Sequence, residues 1–229
     1  MMMKAVFFDV KGSIAHFRRP DTTATHLTYP FITPTAVKGM VGAIIGITDF
    51  VTSDRVGIQL LHPVRTSAQQ MSMLGKDGGT TFNRPTAMEL LVNPAYRIYY
   101  AGDEYVDRLE EQLKQGHSVY PTYLGVAFAM TFPRLVGIDQ QVERFHEDVV
   151  TTYTVVPMSI IQDLMFTDSR STYSRAGGFM KDYLGNRTFE KSISYIYEKD
   201  GGPIAFRKKS GADGSGDIFL IKGEAVCLV

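Results

Sequence analysis

The chain has little of what builds several common classes of protein. Its 229 residues include one cysteine, Cys227, which excludes a disulfide scaffold and fits a reducing compartment. No run of residues is long and apolar enough for a transmembrane helix, and no basic-then-apolar leader opens the sequence. We therefore expect a cytoplasmic protein that makes no contact with a membrane.

Motifs for metal, nucleotide and ester chemistry are also missing. No Cys or His cluster has the spacing of a zinc site. The sequence contains no P-loop, no dinucleotide-binding fingerprint and no Gly-x-Ser-x-Gly elbow. The sequence therefore predicts neither a metal site nor a bound cofactor.

Net charge is absent as well, since 24 Lys and Arg balance 24 Asp and Glu. That balance argues against a protein held to nucleic acid by net charge alone. The charges are nevertheless uneven: residues 1–102 carry ten basic and six acidic residues, whereas residues 103–148 carry four and nine. A neutral chain with a basic N-terminal part suits a subunit with one face on a polyanion and other faces on protein partners.

One stretch, residues 11–46, predicts the end of a strand, a polar loop and then a helix. Thr33 is a good N-cap for that helix, and Gly46 is a good terminator. A helix N-terminus that follows a loop with Arg18 and Arg19 can hold a phosphate chain. The alternative, which the residue types alone favour, is an ordinary strand–helix connection with solvated charges.

The residues up to 148 alternate between predicted strands and helices. Strands are predicted at residues 4–10, 56–61, 96–100 and 126–138. A second helix should begin at an Asp103 cap and end at Gly116. Residues 64–93 predict a protruding β-hairpin with a glycine-rich tip, and a disordered surface loop is the alternative. This order of elements is the split-βαβ, ferredoxin-like (RRM-type) arrangement.

The remainder of the chain predicts a smaller, mostly β annex. Its short predicted strands lie at residues 153–156, 192–197, 204–207, 218–221 and 225–229. The sequence thus predicts an α+β fold in two parts, a ferredoxin-like domain over 1–148 and the annex over 149–229.

Aromatic and basic side chains supply the ingredients of RNA binding, because aromatic rings stack on unpaired bases and cations contact phosphates. The aromatic candidates are Phe17, Tyr29, Phe82 and Tyr123. The basic candidates are Arg18, Arg19, Lys38, Arg65, Lys76 and Arg84. Each of the aromatic residues can instead belong to the core.

A metal-independent ribonuclease is the alternative that the residues leave open. Such an enzyme needs a general base for the 2′-OH and a general acid for the leaving oxygen. Lys114 and His117 lie within one helical turn, near Tyr120. At a helix end, however, a Lys and a His also simply complement the negative end of the helix dipole.

Four segments carry a resemblance to a known family. They are GSIAHF at 12–17, YPFITP at 29–34, IIG at 44–46 and YPTYLG at 120–125. With these segments the chain resembles the fifth Cas protein family, whose members are RAMP-superfamily subunits of Cascade, the type I CRISPR surveillance complex. The resemblance covers the first half of the chain and is strongest to the type I-B branch.

The resemblance implies a ferredoxin-like domain whose hairpin, residues 64–93, serves as a thumb. It implies a non-catalytic subunit that caps the 5′ handle of the crRNA in antiviral defence. It further implies contacts with the seventh-family backbone subunit and the large PAM-reading subunit, with target DNA near the PAM as a further candidate partner. The handle-facing candidates are His16, Phe17, Arg18, Arg19, Thr33, Lys38 and Tyr123. The thumb candidates are Arg65, Lys76, Phe82 and Arg84.

One branch of the family, in type I-C systems, is itself the ribonuclease that processes pre-crRNA repeats. It uses a tyrosine with an adjacent lysine–histidine pair. Here two residues separate Lys114 from His117. The resemblance therefore favours the binding role, with cleavage carried out by a separate sixth-family nuclease.

Overall fold

The computed structural model describes residues 3–22, 24–77, 79–166, 169–209 and 217–229. The side chains of residues 76 and 77 and the predicted turn glycine Gly78 lie outside that description.

Within the described part, strands dominate and two α-helices are present, so the α+β prediction is confirmed. The helices are α1 (Pro34–Ile45) and α2 (Val106–Lys114). The strands up to residue 144 are β1 (Met3–Lys11), β2 (Ile14–Ala15), β3 (Arg55–Leu60), β4 (Thr66–Asp77), β5 (Thr80–Val92), β6 (Ala95–Gly102) and β7 (Arg134–Arg144). The later strands are β8 (Val149–Thr152), β9 (Val156–Pro157), β10 (Ile161–Met165), β11 (Tyr173–Tyr183), β12 (Phe189–Glu198), β13 (Ile204–Lys208), β14 (Asp217–Ile221) and β15 (Glu224–Leu228).

The central sheet has the strand order β15-β14-β7-β1-β6-β3, and its paired neighbours are antiparallel. Side chains alternate between its two faces along each strand. Val6 and Phe8 of β1 belong to the core cluster that also contains the buried residues of both helices. Ala5 of β1 and Tyr99 of β6 belong to a second cluster, whose other members come largely from β14 and β15. We call β14 and β15 the C-terminal hairpin. This hairpin therefore covers the face of the sheet that the helices leave open.

The C-terminal hairpin also reaches the far edge of the same sheet. Val56 and Val229 exchange two backbone hydrogen bonds, with N···O distances of 2.9 and 3.0 Å. A Cβ on Gly57 would lie 2.9 Å from Cγ1 of Val226, so this close approach depends on glycine. The annex predicted over 149–229 thus contributes its last two strands to the central sheet, and the boundary at residue 148 stays a prediction.

The predicted limits of α1 are confirmed. The Thr33 hydroxyl accepts the N–H of Ala36 at 3.0 Å, and Gly46 ends the helix in the left-handed region with φ 76°. Gly42 meets Phe50, because a Cβ there would lie 2.9 Å from the Phe50 Cβ. Close packing against this helix explains one of the glycines that reduce its intrinsic propensity.

The cap predicted for α2 is wrong, because Asp103 does not supply it. The buried carboxylate of Asp54, in the residue before β3, accepts the backbone N–H groups of Asp103, Glu104 and Tyr105 at 3.0, 3.1 and 2.9 Å. Tyr105 is the N-cap residue of α2, and Asp103 and Glu104 immediately precede it, so the carboxylate fixes the backbone that leads into the helix. One residue distant in sequence therefore fixes the start of α2. The predicted end at Gly116 agrees with its φ of 62°.

The strand predicted over 126–138 is also wrong in its first half. Leu124 donates its N–H to Ala129 and Thr131 donates to Thr122, so residues 122–131 fold into a compact turn. Pro133, which cannot donate to a ladder, precedes the true start of β7 at residue 134. We refer to residues 122–131 as the aromatic turn.

The hairpin predicted over 64–93 forms as β4 and β5, which pair from Thr66↔Leu91 to Asp77↔Thr80. We call these two strands the long hairpin. In the annex, the four predicted strands from residue 192 onward correspond to β12 to β15. The strand predicted at 153–156 is misplaced, because Thr154 and Val155 contact β3 instead.

Burial raises the pKa of the Cys227 thiol in β15 to about 12, which makes that thiol unreactive.

The Asp54 cap yields a stability prediction. Asp54→Asn removes the charge that holds three N–H groups, and hydrogen bonds to charged groups contribute about 1.5–3 kcal/mol. We therefore expect the free energy of unfolding to fall by that amount in urea titrations followed by circular dichroism. Asp163→Asn, at an exposed position of β10, is the matched control and should change it by less than about 0.5 kcal/mol. An equally small loss in both variants would contradict the role of Asp54.

Candidate nucleic-acid interface

The segment between β1 and α1 folds back on itself. Arg19 donates its N–H to Leu27 at 2.9 Å, and Tyr29 donates to Phe17 at 2.7 Å. We call residues 12–30 the N-terminal loop. Its two arms therefore run side by side instead of spreading into solvent.

The N-terminal loop is attached to the root of the long hairpin. His26 donates its N–H to Ala87 at 2.8 Å and accepts the N–H of Glu89 at 2.9 Å. The Glu89 carboxylate in turn accepts the N–H of Thr28 at 3.1 Å. These contacts add the loop to β5 as a further strand-like segment, so the loop and the hairpin root form one surface.

His16 lies beneath this surface and is only 3% exposed. Its Nδ1 is 2.7 Å from the backbone carbonyl of Glu89, which can only accept, so Nδ1 carries the proton. Nε2 is buried, and no group in the described residues pairs with it. The backbone N–H of His16 donates to the carbonyl of Leu124, and this bond ties the N-terminal loop to the aromatic turn.

Two arginines and a histidine lie near one another on the surface above. The pKa of His26 lies below its ordinary value, chiefly because of burial and further because Arg18, His16 and Arg84 are close. Arg18 and Arg84 are exposed, and neither forms an ion pair within the described parts of the chain. We call Arg18, His26 and Arg84 the cationic surface, because their unbalanced charge favours an anion.

Arg19 differs from Arg18 because its guanidinium has an acidic partner. Its guanidinium pairs with Asp21, with Nε 3.1 Å from Oδ1 and Nη2 2.6 Å from Oδ2. This hydrogen-bonded pairing raises the pKa of Arg19 and lowers that of Asp21. Its charge is therefore offset locally, whereas that of Arg18 is not.

Four further candidates are buried or have their polar groups occupied by other parts of the chain. Phe17 is 4% exposed and meets Tyr96 edge-on, which leaves its ring no face for a base. The Thr33 hydroxyl is occupied by its capping bond to α1. Lys38 donates to the carbonyl of Thr52 at 3.1 Å, in a different cavity, and desolvation lowers its pKa. Tyr29, also proposed for stacking, packs on Phe179 in the core.

Tyr123 belongs to an aromatic and apolar groove along α1. The groove has a volume of about 790 Å³ and runs between the aromatic turn and the small residues Ala36, Gly39 and Ala43. Tyr123 is 48% exposed, and Phe128 nearby in the turn is 52% exposed. Tyr120 and Met130 also line the groove. The sequence analysis missed this grouping because it placed residues 126–138 in a strand.

The long hairpin carries the remaining candidates. Arg65 lines a separate cleft at the hairpin root. Phe82 is exposed and lies across from Gly75, where an added Cβ would come within 2.6 Å of the ring. Lys76 pairs with Thr81 through its backbone, and its side chain lies outside the described residues.

The residues considered for acid–base catalysis have other partners. Lys114 forms an ion pair with Glu110, and Nδ1 of His117 is 2.6 Å from the amide oxygen of Gln112. The described residues contain no group of His, Cys, Asp and Glu able to hold a metal ion. In the same part of the chain, no helix combines the length and apolar character needed to span a membrane.

The fold is similar to that of two solved CRISPR proteins. A CRISPR protein from Archaeoglobus fulgidus has a TM-score of 0.57 and 11% identity, covering 99% of this chain and 98% of that chain. A chain of a CRISPR RNA-guided surveillance complex has a TM-score of 0.56 and 11% identity, covering 89% and 91%. At such low identity these likenesses show the fold alone. No curated protein matches this sequence.

A match at the level of sequence comes from a family model. The model described as CRISPR-associated protein (Cas_Cas5) matches residues 5–125, which is more than half of the chain. The match includes the N-terminal loop, the long hairpin and the start of the aromatic turn. The chain therefore belongs to the CRISPR-associated protein (Cas_Cas5) family.

Proposed function

We propose that the chain is a non-catalytic subunit of a type I CRISPR surveillance complex, Cascade, most like those of type I-B. In this proposal it binds and caps the 5′ handle of the crRNA within a ribonucleoprotein complex of antiviral defence. Family membership supports the CRISPR role, and the similarity to a chain of an RNA-guided surveillance complex supports the assembly.

The topology supports a ferredoxin-like RAMP core with a thumb. The strands β7-β1-β6-β3 are antiparallel neighbours, and the core cluster joins this sheet to α1 and α2. That order matches the split-βαβ arrangement. The long hairpin lies between β3 and β6 in the chain, which is the place of the proposed thumb.

The cationic surface is the observation that carries the proposal. Burial chiefly, and Arg18 and Arg84 in addition, lower the pKa of His26, and no described acidic side chain forms an ion pair with either arginine. Backbone bonds between the N-terminal loop and β5 hold this arrangement in place. A phosphate backbone is a ligand that satisfies two neighbouring arginines that no described carboxylate balances.

The aromatic groove extends the same site with positions for unpaired bases. Exposed rings such as Tyr123 in the groove and Phe128 in the aromatic turn can stack on bases regardless of sequence. The C-terminal hairpin covers the sheet face opposite the helices, so bases cannot stack there. We infer that the handle follows the N-terminal loop and the aromatic turn, and does not cross the sheet.

Other exposed surfaces of the chain suit contacts with protein partners. Leu74 and Phe82 of the long hairpin are 82% and 47% exposed, which suits burial against a neighbouring subunit. We assign that neighbour as the seventh-family backbone subunit. The acidic segment 103–148 suits protein contacts, and the large PAM-reading subunit, beside target DNA near the PAM, completes the proposed set of partners.

The cationic surface predicts a loss of RNA affinity on mutation. The double variant Arg18→Gln/Arg84→Gln should weaken binding of a repeat-derived 5′ handle RNA by roughly tenfold or more. The plot of log K against log salt should become shallower by about 1.4, because each lost phosphate contact on a single strand contributes about 0.7. Fluorescence anisotropy at several salt concentrations measures both quantities.

The matched control is Arg175→Gln/Lys191→Gln, which removes two exposed cations from β11 and β12. This control should retain wild-type affinity and slope. If both double variants lost affinity equally, binding would depend on overall charge, and the proposed surface would be refuted.

The non-catalytic assignment predicts that the pure chain leaves repeat RNA intact in EDTA. Lys114 pairs with Glu110 and Nδ1 of His117 bonds to Gln112, and no hydrogen bond in the described residues joins the two side chains into a general acid–base pair. Denaturing gel electrophoresis after prolonged incubation tests this. Cleavage that His117→Ala abolishes would instead establish the type I-C-like ribonuclease.

A further inference from the structure

A cleft opens where the long hairpin leaves the sheet. Its walls are three short segments, residues 11–13 at the end of β1, residues 62–65 after β3, and residues 92–94 at the junction of β5 and β6. Its volume is about 600 Å³, within the range of small-ligand sites. None of its lining residues belongs to the cationic surface or to the aromatic groove.

The chemistry of the cleft favours an anion. Lys11, His62 and Arg65 line it together with the hydroxyl of Ser13, and all four residues are exposed. No acidic residue lines it within the described chain, and Arg65 forms no ion pair there. Three groups that are or can become cations therefore converge without a carboxylate to balance them.

Backbone hydrogen bonds hold the walls of the cleft in place. Asn93 donates its N–H to Ser13 at 2.8 Å, and Gly12 donates to Pro94 at 3.1 Å. The other wall contacts are Val92 to Arg65, Leu61 to Ala95, and Val64 to Lys199, at 2.8–2.9 Å. A ligand would thus meet preformed walls, which reduces the entropic cost of binding.

The orientation of His62 is fixed by its neighbour. Its Nδ1 lies 2.9 Å from the carbonyl oxygen of Asn93, so Nδ1 carries the proton. Nε2 is then the ring nitrogen left for a ligand. It accepts a hydrogen bond from a hydroxyl when the ring is neutral and donates one to an anion when the ring is charged.

We propose that this cleft binds a backbone phosphate of the RNA strand, with Lys11 and Arg65 as its charged ligands. His62 contacts the same phosphate or the adjoining ribose hydroxyl through Nε2. The proposal rests on the proposed function, because the strand held here is the same crRNA. It adds a second anchor at the root of the long hairpin, separate from Arg18 and Arg84.

Single-charge variants of the full chain test the anchor. Lys11→Gln and Arg65→Gln should each weaken binding of the handle RNA about three- to tenfold and reduce the salt slope by about 0.7. Lys191→Gln, which removes an exposed cation from β12, is the control and should behave as wild type. Wild-type affinity and slope in both cleft variants would refute the anchor and leave the proposed function standing.

A second measurement does not depend on handle recognition. Inorganic phosphate, uridine monophosphate and a short oligouridine are titrated separately into the labelled chain, and NMR follows the amides of Gly12 and Ser13 and the His62 ring. Saturable shifts with all three probes support a general phosphate site, and shifts with the oligonucleotide alone support a strand-specific one. No saturable shift with any probe would overturn the proposal. If the chain showed these NMR shifts but failed to bind handle RNA, the proposed function would be refuted and the cleft would stand as a phosphate site.

Discussion

The cationic surface and the aromatic groove both depend on two hydrogen bonds that His16 donates. Its backbone N–H donates to Leu124 of the aromatic turn, while its ring donates to the carbonyl of Glu89 in the long hairpin. Gly125 makes the first contact possible, because it adopts φ 86° and a Cβ there would overlap the carbonyl oxygen of His16. Three segments distant in sequence thereby become one rigid unit, and the cationic surface and the aromatic groove both lie on it.

The second constraint is the return of the C-terminal hairpin to the central sheet. β14 and β15 cover the face that an open sheet of this kind would offer to bases, and Val229 pairs with Val56 at the far edge. In the proposed function, RNA binding is therefore expected at the loops and the long hairpin at the margin of the sheet, and not on the sheet itself. This explains why the candidate cations come from residues 11–26 and 62–84, although they are separated by a helix and a strand.

Local signals were sufficient to predict α1 and the long hairpin, because Thr33, Gly46 and the strand pairing act on neighbouring residues. The Asp54 cap could not be predicted, since it joins residues about fifty positions apart. Burial of Phe17 likewise depends on tertiary packing. The neutralisation of the Arg19 charge by Asp21 could have been predicted, because the two residues are only two positions apart. Grouping Arg18 with Arg84 required the backbone contacts between the N-terminal loop and β5.

Photochemical cross-linking tests the central claim most directly. A handle RNA with a photoreactive uridine at each position in turn is irradiated with the full chain, and cross-linked peptides are identified by mass spectrometry. We predict cross-links within residues 16–29, 82–88 and 120–130, on the unit that His16 holds together. Cross-links confined to β14, β15 or α2 would contradict this account, because they would place the RNA on the covered sheet or on the acidic segment.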